Sequence, residues 1–214
     1  MGMLTGKEID RQIKIGNIEI DPYSESQLNP NSYNLRLDKH LKIYNPGKTA
    51  MFKDVGSLTG TVFDSKNWTY SNYRGDGNIY LDLHEKDETD DIFIDEDNGI
   101  ILYPGILYLG STIERTFTDK YVPMLNGRSS VGRKGLTIHV TAGFGDIGFN
   151  GKWTLEMTVV HPLKVYYMDE ICQISFFDTI GDTSYLYNGR YQNQEDVIES
   201  RFDQKKKGAY VDAD

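Results

Sequence analysis

From residue 99 to residue 177 the chain is a succession of short apolar segments, each closed off by turn residues. "GIILYPG", "ILYLGSTIE", "YVPMLNG", "LTIHVTAG", "KWTLEMTVV", "LKVYY" and "ICQISFF" follow one another at small intervals. Runs of this length, rich in Tyr, Val, Ile and Thr and bounded by Gly, Pro and Asn, read as β-strands. Strands so closely set predict an all-β barrel or a jelly-roll-like sandwich. Upstream, "LTGKEIDRQIKI" (residues 4–15) places Leu4, Ile9, Ile13 and Ile15 at roughly helical spacing, with Thr5 and Glu8 at capping-box positions. A short N-terminal helix is expected there. "IGNIEIDP" then alternates as a strand, and "NPNSYNLRLDKHLKIY" alternates again with Tyr33, Leu35 and Leu37 on one face.

At 214 residues the chain has room for one domain with a real core, or one domain carrying an insertion. The formal net charge of −9 repels nucleic-acid phosphates and anionic membranes, so neither is expected as a partner. An anionic ligand must therefore be small and met by local basic groups. Cys172 is the single cysteine, which excludes an intrachain disulfide and the Cys-x-x-Cys half of a zinc deaminase site. Its solitude also reads as a cytoplasmic setting. No apolar run reaches transmembrane length.

Residues 46–98 carry "GSLTG", "NYRGDGN" and the acidic run "EKDETDDIFIDED". They read as an insertion or as loops with a solvated charged face; the acidic spacing matches no calcium-loop pattern. The closing "KKKGAYVDAD" reads as a mobile, solvated tail.

Within this acidic chain, "NGRSSVGRKG" (residues 126–135) gathers two arginines, two serines and three glycines. Ser129 or Ser130 could cap one helical turn, and Arg128, Arg133 and the hydroxyls would add charge-assisted donors for a small oligophosphate. Taken alone, the same residues describe an ordinary polar turn. In "KWTLEMTVV" strand alternation puts Trp153, Leu155, Met157 and Val159 on one face and Thr154, Glu156 and Thr158 on the other. A carboxylate in mid-strand faces either solvent or a polar pocket. Asp146 lies in "GFGDIGFNG", where three glycines and an asparagine allow tight backbone and close ligand approach; an Asx-type turn is the plainer reading.

In this order and at this spacing, "GRSSVGRKGLTIHVTAGFGDIGFNGKWTLE" resembles the core of the dCTP deaminases, within the trimeric dUTPase superfamily. The likeness extends to "MLTGKEI…IEIDP…LNPNSYNLRL", to "YPGILYLGSTIE" and to "YNGRYQNQ…SR", and omits residues 46–98 and the last dozen. It implies a mainly β, dUTPase-like distorted β-barrel or jelly-roll-like fold with a short N-terminal helix, assembled as a homotrimer. It implies one domain over residues 1–214, with a variable insertion at about 46–98 and a flexible C-terminal segment from about 183.

The resemblance further implies deamination of dCTP to dUTP and ammonia by a Glu-activated water without zinc, with Mg²⁺ arriving on the triphosphate. Glu156 matches the acid/base. Ser129, Arg133 and the backbone carbonyl of Ala142 match the groups that position the water. Arg128 and Ser130 lie in the signature lining the triphosphate and base, and Asp146 matches the carboxylate at the deoxyribose. Gln173 matches a nucleotide contact of some members. Tyr187, Arg190 and Gln194 match the C-terminal set that closes over the nucleotide, and Thr154 beside Glu156 is a further substrate-binding position. Inhibition by dTTP is implied as well.

Two departures stand out. Arg190 occupies a position where lysine is usual, which changes hydrogen-bond geometry. Gly-Phe-Gly at 143–145 replaces bulkier residues before the aspartate. "TAG" at 141–143 resembles the bifunctional branch, which cleaves the α–β phosphate linkage after deamination to give dUMP and diphosphate, using an aspartate at the position of Asp146. The sequence reading leans to the deaminase that stops at dUTP, keeps the bifunctional enzyme as the alternative, and sets a nucleotide-sensing binding protein as a third reading.

Overall fold

Alternation between apolar and polar side chains builds the strands, and they form close to where the sequence places them. The computed structural model describes residues 2–44, 60–64, 69–73, 83 and 88–202. The chain divides into two compact units, Met1–Ile43 with Asp91–Ile198, and Tyr44–Asp90 with Glu199–Asp214. The expected insertion overlaps the second unit, but residues 91–98 belong to the first. The lysine-bearing tail from residue 203 and residues 85–87 at the start of the acidic run lie outside the described residues.

The described strands are β1 (Glu19–Asp21), β2 (Tyr33–Arg36), β3 (His40–Tyr44), β4 (Gly60–Asp64), β5 (Thr69–Tyr73), β6 (Thr89–Phe93) and β7 (Ile100–Leu102). They continue as β8 (Tyr108–Phe117), β9 (Val122–Gly127), β10 (Leu136–Thr137), β11 (Asn150–Val159), β12 (Leu163–Val165) and β13 (Glu170–Phe177). In the first unit the main sheet runs β10-β11-β8-β3-β6, with β1 also paired to β8. A three-stranded sheet, β2-β13-β9, and the pair β12-β7 complete it. In the second unit β4 and β5 form an antiparallel pair. The fold is mainly β, with a short helix at its start.

That helix spans Gly6–Lys14, and Thr5 caps it by accepting a hydrogen bond from the Glu8 amide. Only half of the capping box forms, because the Glu8 carboxylate turns to Arg11 and Gln12 instead. Those two contacts hold its pKa down to about 2. Ile15 is not on the apolar face: it is the C-cap residue and is 55% exposed. Ile9 alone among the four spaced apolar residues is fully buried.

Tyr33, Leu35 and Leu37 do share a buried face, but the long alternating run is two strands rather than one. The break falls at Leu37 and Asp38, whose amides bond to Asp169 and Ser111. The chain also departs from expectation at "LTIHVTAG". Only Leu136–Thr137 pairs as a strand, because the Glu156 side chain takes the Val140 amide that a ladder partner would otherwise receive.

The long strand β8 carries a buried carboxylate. Glu114 is fully buried and accepts hydrogen bonds from Gln27 Nε2, the Arg36 amide and Arg36 Nε at 2.9, 2.8 and 2.5 Å. Arg36 itself is mostly covered. Removing one partner of a buried pair strands the other charge. Glu114→Ala is therefore expected to destabilise the fold by about 3–5 kcal/mol, read as a lower urea midpoint at unchanged slope. A loss below about 1 kcal/mol, the range of an exposed ion pair, would contradict this account.

Candidate active site

Glu156 sits on β11 between Leu155 and Met157, both fully buried, so alternation turns its side chain to the half-buried polar face. Its Oε2 accepts the Val140 amide at 2.8 Å, while its own amide donates to the Ile138 carbonyl. Residues 138–140 are thus clamped to β11 by both ends of one glutamate. Oε1 has no protein partner among the described residues. Thr154 and Thr158, which flank Glu156 on that face, are both engaged: Thr158 Oγ1 with Thr137 Oγ1 at 2.6 Å, and Thr154 Oγ1 accepting from Gln194 Nε2 at 2.6 Å.

The loop before β11 forms a second feature. Phe144, Asp146 and Ile147 line a cavity of about 840 Å³ together with Tyr185, Tyr187 and Asn188 of the C-terminal segment. Asp146 is exposed there, and its carboxylate has no partner among the described residues. Trp153 stands beneath this loop: its amide donates to Thr112 and its indole N–H to Thr116. Phe149 packs on Trp153 at 4.5 Å between ring centroids, and Tyr187 meets Phe149 edge-on at 5.8 Å. Gly145 is required by this arrangement, since a Cβ there would lie 2.2 Å from Trp153. The Gly-Phe-Gly departure lets the loop lie directly on the indole.

The C-terminal segment is docked by its glutamines. Gln194 is 4% exposed, and its amide nitrogen donates to the Lys152 carbonyl and to Thr154. Gln192 accepts from the Asn150 amide and donates to the Gly148 carbonyl. Arg190 is exposed on this segment.

A third feature surrounds "GRSSVGRKG". Ser129–Gly132 form one helical turn, but Arg128, not a serine, is its N-cap, and no side chain caps it. The cap position requires extended backbone, and Arg128 has it at φ −80 and ψ 142. Ser129, Ser130 and Arg133 are exposed. Arg128, Ser130, Lys134 and Lys164 line a pocket of about 300 Å³. Arg128 Nη1 donates to the Glu170 carboxylate at 2.7 Å and to the Glu170 carbonyl at 3.0 Å. Gln173, on β13, accepts from Ser32 Oγ at 2.8 Å and points its amide nitrogen at the Gly127 carbonyl.

The predicted residues therefore fall into three groups: Glu156 with Thr154 and Gln194, Asp146 with Tyr187, and Arg128 with Ser130. No hydrogen bond or ion pair joins Ser129, Ser130 or Arg133 to Glu156 among the described residues, and Ala142 is exposed beside the Val140 anchor. Sequence reasoning missed Phe149, Gln192, Glu170 and Asn34. Of these, Asn34, Phe149 and Gln192 lie in quoted motifs with no role attached, and Gln192 stands two residues before Gln194.

The chain matches the family model described as dCTP deaminase-like over residues 3–179. The chain belongs to that family. Relatives within it include a protein named "dCTP deaminase, dUMP-forming" from Hathewaya histolytica, 44% identical over 91% of this chain and 94% of its own length. Proteins of the same name from Clostridium beijerinckii and Leptospira biflexa are 45% and 41% identical, each over 91% of this chain. Among solved structures, the 2'-deoxycytidine 5'-triphosphate deaminase of Agrobacterium tumefaciens shares the fold at a TM-score of 0.50 and 20% identity. That likeness covers 82% of this chain and 48% of the solved one.

Proposed function

We propose that this member of the dCTP deaminase-like family hydrolyses dCTP in two steps, to dUMP, diphosphate and ammonia. The observation that carries the reading is Glu156, with one oxygen anchored on the Val140 amide and the other open. An anchored carboxylate holds its geometry while the open oxygen handles a proton. Glu156 takes a proton from water as the oxygen bonds to C4 of the cytosine, and passes that proton to N3. A second proton, from the added hydroxyl, goes through Glu156 to the amine as the C4–N bond breaks and ammonia leaves. Ser129, Arg133 and the Ala142 carbonyl orient the water and offset developing charge.

The relatives' shared name supports a second hydrolysis and reverses the order of the two enzymatic readings drawn from sequence. Asp146, which lines the larger cavity, takes a proton from a second water. That water attacks the α-phosphorus and breaks its bond to the bridging oxygen, releasing diphosphate. The triphosphate enters as its Mg²⁺ complex and meets Arg128, Ser130 and the lysines of the smaller pocket.

This reading takes deamination to proceed without zinc. Among the described residues no three His, Cys, Asp or Glu side chains cluster as a metal would need. Cys172 is buried, and burial pushes its thiol far above the ordinary range, which disfavours the thiolate a metal requires. The separation of the predicted groups within one chain supports a homotrimer whose copies complete each site, and dTTP is the expected inhibitor.

Incubation with dCTP and excess Mg²⁺, followed by chromatography, tests the reading. Expected products are dUMP and diphosphate in equal amounts, with no accumulation of dUTP. Accumulating dUTP would restore the deaminase-only reading, and no turnover at all would favour a nucleotide-sensing protein. A zinc-selective chelator is expected to leave the rate unchanged.

A further inference from the structure

We propose that Glu170, held in place by Asn34, is a positioning residue for Arg128, and that the "NPNSYN" segment supports the phosphate-binding groups from behind. The inference rests on the reading of Arg128 as a triphosphate ligand. The contacts form a directed chain. Asn29 Nδ2 donates to Asn34 Oδ1 at 2.7 Å, which fixes the Asn34 amide so that its nitrogen must face the other way. That nitrogen donates to Glu170 Oε2 at 2.7 Å. The same oxygen receives Arg128 Nη1 at 2.7 Å. Asn34 is 4% exposed, so its orientation is not shared with solvent.

Ser32, also buried, runs a parallel contact to Gln173, one strand position from the Cys172–Gly127 pair in the same sheet. The β2-β13-β9 sheet thus carries both contacts from one hexapeptide to the edge of the smaller pocket. Within the relay the Asn29 amide, the Asn34 amide and Arg128 Nη1 each donate to a named acceptor, as a buried polar network requires.

The geometry leaves a defined edge of the guanidinium available. Both protein contacts of the Arg128 side chain fall on Nη1. Nε and Nη2 have no partner among the described residues and form the two-donor fork that grips a phosphate side-on. A free arginine loses rotamer entropy when it is fixed. Glu170 fixes Arg128 before substrate arrives, which strengthens binding without touching the reaction centre.

A double-mutant cycle over Arg128→Ala and Glu170→Gln, read as KM and kcat for dCTP, tests this. Glu170→Gln keeps the shape but removes the charge that orients the guanidinium. It is expected to raise KM about tenfold, the loss of one charge-assisted hydrogen bond, with kcat within about twofold. In the Arg128→Ala background it should add nothing further. Deoxycytidine, which lacks phosphates, should inhibit wild type and Glu170→Gln equally, a result that general structural damage would not give. Glu170→Asp, one methylene shorter with the charge kept, should lie between the two and serves if Glu170→Gln folds poorly. Unchanged KM in Glu170→Gln beside a raised KM in Arg128→Ala would overturn the positioning role alone, as would additive effects in the double variant. Unchanged KM in Arg128→Ala would overturn the phosphate reading and this inference with it.

Discussion

Glu156→Gln is expected to slow deamination by about 10²–10⁴-fold, the usual contribution of a positioned acid/base. Nucleotide binding should persist. Gln keeps a side-chain oxygen for the Val140 amide, so the clamp on residues 138–140 survives. What it loses is the ability to take a proton from water and return it to N3 and the amine. Ammonia release in a single turnover, measured beside the dissociation constant for dCTP, separates chemistry from binding. A variant retaining more than about a tenth of the wild-type rate would remove Glu156 from the acid/base role.

Asp146→Asn should convert the enzyme into one that accumulates dUTP. Asn preserves the size of the side chain lining the cavity of about 840 Å³ but cannot act as a base. Diphosphate release should fall by about 10²–10⁴-fold, while deamination should change far less. The two reactions lie at opposite ends of one nucleotide, and Asp146 and Glu156 have no contact with each other among the described residues. Timed chromatography of dCTP, dUTP and dUMP reads both rates in one experiment. Continued dUMP formation near the wild-type rate would show that another group activates the second water. A parallel collapse of both rates would mean that Asp146 chiefly holds the substrate.

Much of the architecture could be read from local pattern. Period-two alternation put Leu155, Met157 and Val159 together and Glu156 on the opposite face, and the structure has them so, while Trp153, at the register shift between β11 and β8, is only half-buried. The thirty-residue motif led to the family. Local pattern failed where a side chain competes with the backbone. "LTIHVTAG" has strand-like composition, yet a carboxylate 16 residues away takes the Val140 amide and ends the pairing. Alternation also misleads on β8, where Glu114 and Thr116 are buried while Ile113 and Phe117 are half-covered. A buried carboxylate of this kind is stable only because Gln27 and Arg36 reach it from elsewhere.

The strand-rich fold class, the facing of Glu156, the capped N-terminal helix and family membership were all legible in the order of residues along the chain. These depend on spacings of a few residues or on an ordered string of motif residues, and both are visible in one dimension. The tertiary structure alone decided which donor anchors Glu156, where Arg128 is held and how Gln194 docks. Asn34 and Glu170 are 136 positions apart, and Arg128 and Glu170 are 42 apart. No periodicity links residues at such distances. They meet because β2 and β9 both pair with β13, and that pairing is set by burial of the core rather than by any local preference.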